Sequence, residues 1–187
     1  MTGFTLRPTR RSEVAAVRWL VQLYIYDLGG AYWDVQPNGA FAPARWHRRF
    51  WTGAGRQLFI MRVRGRLAGF VLVRQRAQFA GAGAREIAEF FVLRKYRRRG
   101  VGTRAALDVF ARFPGRWELA ELSWNVPAQR FWRRIIRRIA VGGYTERRRR
   151  NGDLVNVVQQ FDTAPRARRG EETPVRRSVA TAARRRA

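Results

Sequence analysis

The chain has 187 residues, 46% of them hydrophobic, with seven Trp and twelve Phe, enough apolar bulk for one domain with its own core. Against 13 acids stand 39 basic residues, all but Lys95 arginine, for a formal charge of +26. So one-sided a use of arginine reads as a codon bias of the genome, because lysine would serve a generic phosphate-binding surface equally well. With no Cys and one histidine, His47, the sequence excludes disulfides, thiolate nucleophiles, CxxC metal sites and histidine-cluster metal centres, so no metal is expected. A serine triad would have to use His47, which lies among bulky and cationic neighbours in a chain without GxSxG and reads as a surface or helix-face residue. The first residues lack an apolar signal core and no apolar run approaches the ~18 residues of a membrane span; a cytoplasmic protein with no membrane partner is expected.

Residues 3–7 (GFTLR) alternate weakly and end at Pro8, which predicts a short strand. Thr9 or Ser12 can cap a following helix, whose apolar positions Val14, Val17, Val21, Tyr24 and Leu28 recur at spacings of three and four up to Gly29 and Gly30. Residues 31–43 are loop-like, and 44–51 (ARWHRRFW) predict a short second helix. Residues 56–65 and 66–76 read as two strands joined in a hairpin at Gly65. The loop AQFAGAGA then leads into REIAEFFVL, an apolar central strand over 85–93. After a glycine-bearing turn, Ala105, Leu107, Phe110 and Ala111 predict a helix stopped at 113–115 (FPG). Residues 116–124 read as a strand and 126–140 as a helix stopped by Gly142 and Gly143. Two last strands, 144–150 and 154–162, flank Asn151 and Gly152, the strongest short-range hairpin signal in the chain. Residues 164–187, with eight Arg, two Glu and two Pro, have almost nothing to bury and are expected to be a disordered basic tail. The domain is thus 1–163. The order predicts an α/β (α+β) fold with a mixed sheet covered by helices.

The turn RRRGVG, residues 97–102, carries the most chemistry. A strand that turns through glycines into a helix leaves unpaired N–H groups at the positive end of the helix dipole, which suits a phosphate; the bland reading is a glycine pair that only permits the turn. No Walker A loop is present. GVGTRA fits the loose dinucleotide pattern GxGxxA, with Glu118 or Glu121 near the offset of a ribose-binding acid. However, RKYRRR separates the strand from the first glycine and too little chain follows for a second mononucleotide half.

The element order and FFVLRKYRRRGVG together resemble the GNAT superfamily of N-acetyltransferases, whose signature is Gln or Arg, two residues, Gly, one residue, then Gly or Ala; Arg97, Gly100 and Gly102 fill it. A second family element is matched by Asn125, Ala128, Phe131 and Trp132 in NVPAQRFW and by Gly143 and Tyr144 in GGY. The resemblance spans about residues 3–162 and implies a mixed, mostly antiparallel sheet of about six to seven strands flanked by about four helices. It also implies an acyl-CoA enzyme, usually one using acetyl-CoA. Backbone groups of Val92 and Leu93 would bond the pantetheine arm, and the turn formed by Arg97, Arg98, Arg99, Gly100, Val101, Gly102 and Thr103 would hold the pyrophosphate. Asn125 and Phe131 would touch the cofactor arm. Asn125 also suits an N-cap with Pro127 in the first turn, and the two roles are compatible.

Acetyl transfer to an amine needs a neutral amine, a polarised thioester carbonyl and a protonated leaving thiolate. Val92 N–H is the family-matched group for the carbonyl. Glu86 and Glu89, three residues apart, lie on opposite strand faces unless a bulge intervenes, so one of them is expected to face the site. An acid within IAEFFVL is costly to bury without a reason, which favours Glu89 as the base; Glu86 lies nearer the family's usual base position, and either can instead pair with an arginine. The family often carries Tyr where this chain has Trp132, whose indole supplies no proton, which leaves Tyr144 and Tyr96 as candidate acids, or water. The expected function is direct transfer of acetyl from acetyl-CoA to a primary amine of a small molecule or protein. The alternative is a basic nucleic-acid-associated or non-catalytic CoA-binding protein with this fold, the tail giving non-specific nucleic-acid contact. The positive field disfavours polycationic acceptors unless acids such as Asp27 and Asp34 gather at the mouth. A monomer or homodimer is expected.

Overall fold

The computed structural model describes residues 3–29, 34–41 and 54–164. The helix expected over 44–51, with His47, and the chain beyond residue 164 lie outside the described residues. Seven strands, β1 (Phe4–Pro8), β2 (Arg56–Val63), β3 (Arg66–Arg74), β4 (Arg85–Val92), β5 (Gly115–Leu122), β6 (Ala140–Asn151) and β7 (Leu154–Thr163), form one sheet in the order β1-β2-β3-β4-β5-β7-β6. Among the described residues are three helices, α1 (Val14–Gly29), α2 (Val101–Arg112) and α3 (Val126–Ile139). Every neighbouring pair of strands is antiparallel except β4 and β5, which α2 joins as a crossover. The mixed, mostly antiparallel sheet is the expected class. None of the described helices is long and apolar enough to cross a membrane.

The helices divide the core in two. On one face α1 presses Val17, Leu20, Val21 and Ile25 onto Ile60, Phe70, Leu72 and Phe91. On the other, Val101, Ala105, Val109 and Phe110 of α2 and Trp132, Ile135 and Ile136 of α3 cover Val71, Ile87, Trp117, Leu119 and Phe161. The buried stripe of α1 is rotated from the expected one: Leu20 and Ile25, larger and wholly apolar, take the sheet-facing arc, while Tyr24 and Leu28 are half-buried and line a cleft at its edge.

Two local expectations change. Neither Thr9 nor Ser12 caps α1; a turn at Arg11–Glu13 precedes it, and Glu13 accepts the Arg10 N–H at 3.0 Å, two bonds from Arg7 at 2.6 and 2.7 Å and one from Arg62 at 2.8 Å. One carboxylate thereby ties β1, β2 and the start of α1 together. The Gly142–Gly143 pair does not end α3 either. The helix stops at Ile139 and β6 runs from Ala140 through both glycines, which form a bulge where the register to β7 shifts between Val141 and Tyr144. The hairpins hold: Arg64 (φ 50°) and Gly65 (φ 74°) make the two-residue turn with both φ positive that suits strand twist.

Gly69 in β3 passes so close to β4 that a Cβ there would meet the Phe91 carbonyl oxygen at 2.0 Å and the Val92 Cα at 3.1 Å. Gly69→Ala is therefore expected to push β3 from β4 and cost about 2–3 kcal/mol, as forced overpacking does, read as a lowered urea midpoint. The Glu13 cluster gives a pH signature. Arg7 chiefly, despite burial, holds the carboxyl down to about 2 from an ordinary value of 4.5, so its stabilisation is full above that ordinary value and is lost as pH falls through the folded one. Glu13→Gln should lower Tm by about 3–6 °C at neutral pH, and the gap from wild type should close as pH approaches 2; a gap independent of pH would refute the assignment.

Candidate active site

The site begins where the sheet opens. β4 and β5 pair only at Arg85↔Trp117 and Glu86↔Glu118, and beyond these their backbones diverge. The opening is a cleft of about 250 Å³ lined by Glu86, Glu89 and Phe90 of β4, Leu119, Ala120, Glu121 and Leu122 of β5, Tyr24 and Leu28 of α1, and Asn125, Ala128 and Trp132 at the start of α3. On its β3 side β4 is fully engaged, and Leu93 N–H donates to Ala68 O at 2.9 Å. Alternation along the ladder therefore turns Val92 N–H away from β3, toward the gap. The Val92 carbonyl is taken by Arg97 Nε at 2.7 Å. Of the backbone groups expected to meet a pantetheine arm, the Val92 N–H is directed at the opening, whereas Leu93 N–H and Val92 C=O are committed within the protein.

The turn after β4 is held open by its own side chains. Arg97 pairs with Asp27 at the end of α1, Arg94 bonds the same carboxylate at 2.8 Å, and the Arg97 guanidinium lies 5.7 Å over the Phe91 ring. Burial pushes the Asp27 carboxyl upward, but Arg97 and Arg94 outweigh it and leave the group below its ordinary value; Asp27 is thus a structural tie rather than an acid at the mouth, and Asp34 lies exposed in the 34–41 segment. Arg98 (φ 57°) and Gly100 (φ 76°) both adopt left-handed backbone, a conformation glycine takes without strain. The first α2 bond runs from Arg104 N–H to Gly100 O at 2.9 Å, so the N–H groups of Val101, Gly102 and Thr103 lie ahead of the ladder, and Gly100 brings no side-chain cap. Arg98 and Arg99 flank this uncapped end and are exposed. A Cβ on Gly102 would come within 3.5 Å of Phe131 and 3.6 Å of Phe90; the glycine lets α2 close onto the two rings beside the cleft. The residues present fit a pyrophosphate joined to an arm that enters the gap.

The carboxylates depart from the expected arrangement. A bulge in β4 places Leu72 opposite Glu89 but Val73 opposite Ile87, leaving Ala88 as the extra residue. It cancels the alternation, and both Glu86 and Glu89 line the cleft. Their surroundings differ. Glu86 is buried, bonded by Arg74 at 2.7 and 2.8 Å and by Gln78 N–H at 2.9 Å; burial raises its carboxyl, and Arg74 opposes the rise. Glu89 is half-buried and accepts from Tyr24 Oη at 2.7 Å. Burial, then the charge and bond of Glu89, keep the Tyr24 phenol well above its ordinary value, so Tyr24 stays a donor and fixes the carboxylate's orientation.

Glu118, weighed as a ribose-binding acid, instead holds the β3–β4 loop. It accepts from Phe79 and Ala80 N–H at 2.9 and 2.7 Å and from Gln160 at 2.9 Å. Glu121 is buried, with neither oxygen hydrogen-bonded, and burial first, then the charge of Glu146, push its carboxyl up to about 8. Asn125 caps α3, its Oδ1 accepting Ala128 N–H at 3.3 Å with Pro127 in the first turn. Tyr144 lies on β6, separated from β5 by β7, and packs against the helix-side core as Tyr96 does; neither borders the cleft. Sequence reasoning missed Tyr24, absorbed into a core stripe, and Arg74, one arginine among many. It weighed Glu121 only as a ribose ligand. No group of three His, Cys, Asp or Glu among the described residues could hold a metal ion.

The chain matches the model of the Acetyltransferase (GNAT) family over residues 24–136. A GCN5-related N-acetyltransferase from Kribbella flavida is similar in structure at 16% identity and a TM-score of 0.61, covering 86% of this chain and 98% of that one. PaiA N-acetyltransferase from Thermoplasma acidophilum, solved with coenzyme A, gives 9% identity and 0.62, covering 86% and 99%. The ribosomal-protein-S18-alanine N-acetyltransferase of Escherichia coli gives 13% and 0.57, covering 89% and 97%. No curated protein sequence matches. With a family match that runs from α1 across the glycine turn and both strands of the opening into α3, over more than half of the chain, the protein belongs to the GNAT acetyltransferase family.

Proposed function

We propose that the protein transfers the acetyl group of acetyl-CoA directly to a primary amine of a small molecule or protein. The observation that carries this reading is the juxtaposition of an uncapped α2 N-terminus with the β4–β5 opening, where β4 turns its Val92 N–H away from β3 and Glu89, oriented by Tyr24, lines the cleft. The neighbour solved with coenzyme A supports the choice of donor. Bound acetyl-CoA would supply an activated acyl group. The amides of Arg98, Arg99, Gly100, Val101, Gly102 and Thr103 hold the pyrophosphate through the helix-end field, and Phe131 and Asn125 border the arm. Val92 N–H polarises the carbonyl that takes up charge. Glu89, steered by Tyr24, takes the proton of the incoming amine directly or through a water. Glu86 is the poorer base, because Arg74 and Gln78 already occupy its oxygens.

Two measurements test this. Acetyl-CoA should raise Tm, and Arg98→Glu with Arg99→Glu, at exposed positions with no partner among the described residues, should weaken CoA binding about 10- to 100-fold by calorimetry while leaving the apo Tm within about 2 °C. Undiminished affinity would remove the turn from the cofactor site. With an acceptor found by screening amines for free-thiol release, Glu89→Gln should bind acetyl-CoA normally and lose roughly 10²- to 10⁴-fold in turnover, and Glu86→Gln should lose less. Wild-type turnover in both variants would leave polarisation and proximity as the whole of the catalysis.

A further inference from the structure

The opening contains a carboxyl group that the reading above does not use. Glu121 lies on β5, which lines the gap opposite β4, and counting on from the last parallel pair, Glu86↔Glu118, brings it level with Glu89. Both of its oxygens are buried and without a donor. On the adjacent strand β7, Gln159 is also fully buried. It faces Leu119, two residues before Glu121, while Glu121 faces Val157, so the two side chains are diagonal neighbours on one face. Gln159 Nε2 donates to Glu146 at 2.7 Å, and its Oε1 has no donor. Three buried acceptor atoms without a donor are an expensive arrangement. A proton on Glu121 turns one of them into a donor.

Burial, and after it the nearest like charge, favour the same state. From β6 comes Glu146, like-charged, which raises Glu121; Arg133 of α3, bonded to Glu146 at 2.7 and 2.8 Å, opposes it with its own charge but less strongly. Glu86 and Glu89 stand on the β4 side with their own partners, and burial acts on Glu121 more strongly than any of these charges. The neutral acid is then the form present at neutral pH.

Breaking a thioester needs a proton for the departing sulfur, and few cleft-lining residues can give one. Arg56 and Arg74 hold theirs too tightly, and the Tyr24 hydroxyl is committed to Glu89. Glu86 faces Arg74 and is no donor. We infer that Glu121 is the general acid of the reaction, passing its carboxyl proton to the leaving thiolate of CoA at the cleft wall it shares with Trp132. As the C–S bond breaks, the electron pair remains on sulfur and the Glu121 O–H proton moves to it. The proton that Glu89 takes from the amine returns to Glu121 through water, so the amine loses one proton and the thiol gains one. This inference rests on the acetyl-CoA reading.

The test uses the full chain with ¹³C-labelled glutamate, CoA, and desulfo-CoA, in which hydrogen replaces the thiol. Infrared spectra at pH 7 should show a protonated-carboxyl band that is lost in Glu121→Gln and in Glu121→Leu, and the band should shift when CoA binds but not when desulfo-CoA binds. With the screened amine, Glu121→Gln should lower turnover by roughly 10² with CoA affinity retained, and the loss should shrink for thioesters of more acidic thiols, which need less help in leaving. Trp132→Tyr in the Glu121→Gln background should restore part of the rate by placing a phenol in the same cleft. No band lost on substitution, or a band that CoA leaves unmoved, overturns the inference while the acetyl-CoA reading stands. Failure of wild-type protein to bind CoA overturns that reading instead.

Discussion

The site depends on a pairing that stops. Among the described strands β4 and β5 are the only parallel neighbours, and they share a ladder for two residue pairs. Continued pairing would bury the Val92 N–H in a hydrogen bond and close the space between Glu89 and Glu121. Divergence leaves the Val92 N–H without a strand partner, carboxyl groups of β4 (Glu86, Glu89) and β5 (Glu121) on the cleft, and aromatic rings from α1, β4 and α3 beside them. Parallel strands need a crossover, and here the crossover is α2, whose uncapped first turn starts only nine residues beyond the end of β4. The opening and the glycine turn beside it are thus two results of one topological choice.

Within an arginine-rich chain the acids have mostly become fastenings. Glu13 joins β1 and β2 to the start of α1, Glu86 joins β3 to β4, Glu118 holds the loop between those strands against β5, and Asp27 ties α1 to the turn. Each meets an arginine or a row of backbone amides, and each is explained by structure alone. Glu89 and Glu121 stand apart: Glu89 accepts a bond from the Tyr24 phenol, and the Glu121 oxygens have no hydrogen-bond donor. In a protein with this much positive charge, a buried carboxyl group whose oxygens no donor reaches is the informative one.

Element order, both hairpins and the turn around Gly100 were legible from the amino-acid sequence because each rests on local chemistry, namely apolar periodicity, glycine with positive φ and an Asn-Gly or Arg-Gly corner. What was not legible depends on the neighbouring strand. The bulge at Ala88, which brings Glu86 and Glu89 to one cleft, is a mismatch in register between β3 and β4 that neither strand announces alone. The same holds for Gly142 and Gly143, which stop helices in many sequences but here let β6 continue beside β7. Tyr24 could be placed on a helix face, yet whether that face met core or cleft depended on where the sheet opened.

The Arg97 guanidinium is bonded both to the Val92 carbonyl and to Asp27, and Arg98 and Gly100 after it adopt left-handed backbone. These ties, all within the protein, hold the amides of the turn in place. An arriving phosphate meets a rigid cradle, and the conformational entropy of shaping it has been settled during folding. Affinity at such a turn is governed by dehydration and charge rather than by loop ordering, and replacing Asp27 would loosen a preorganised surface it never touches.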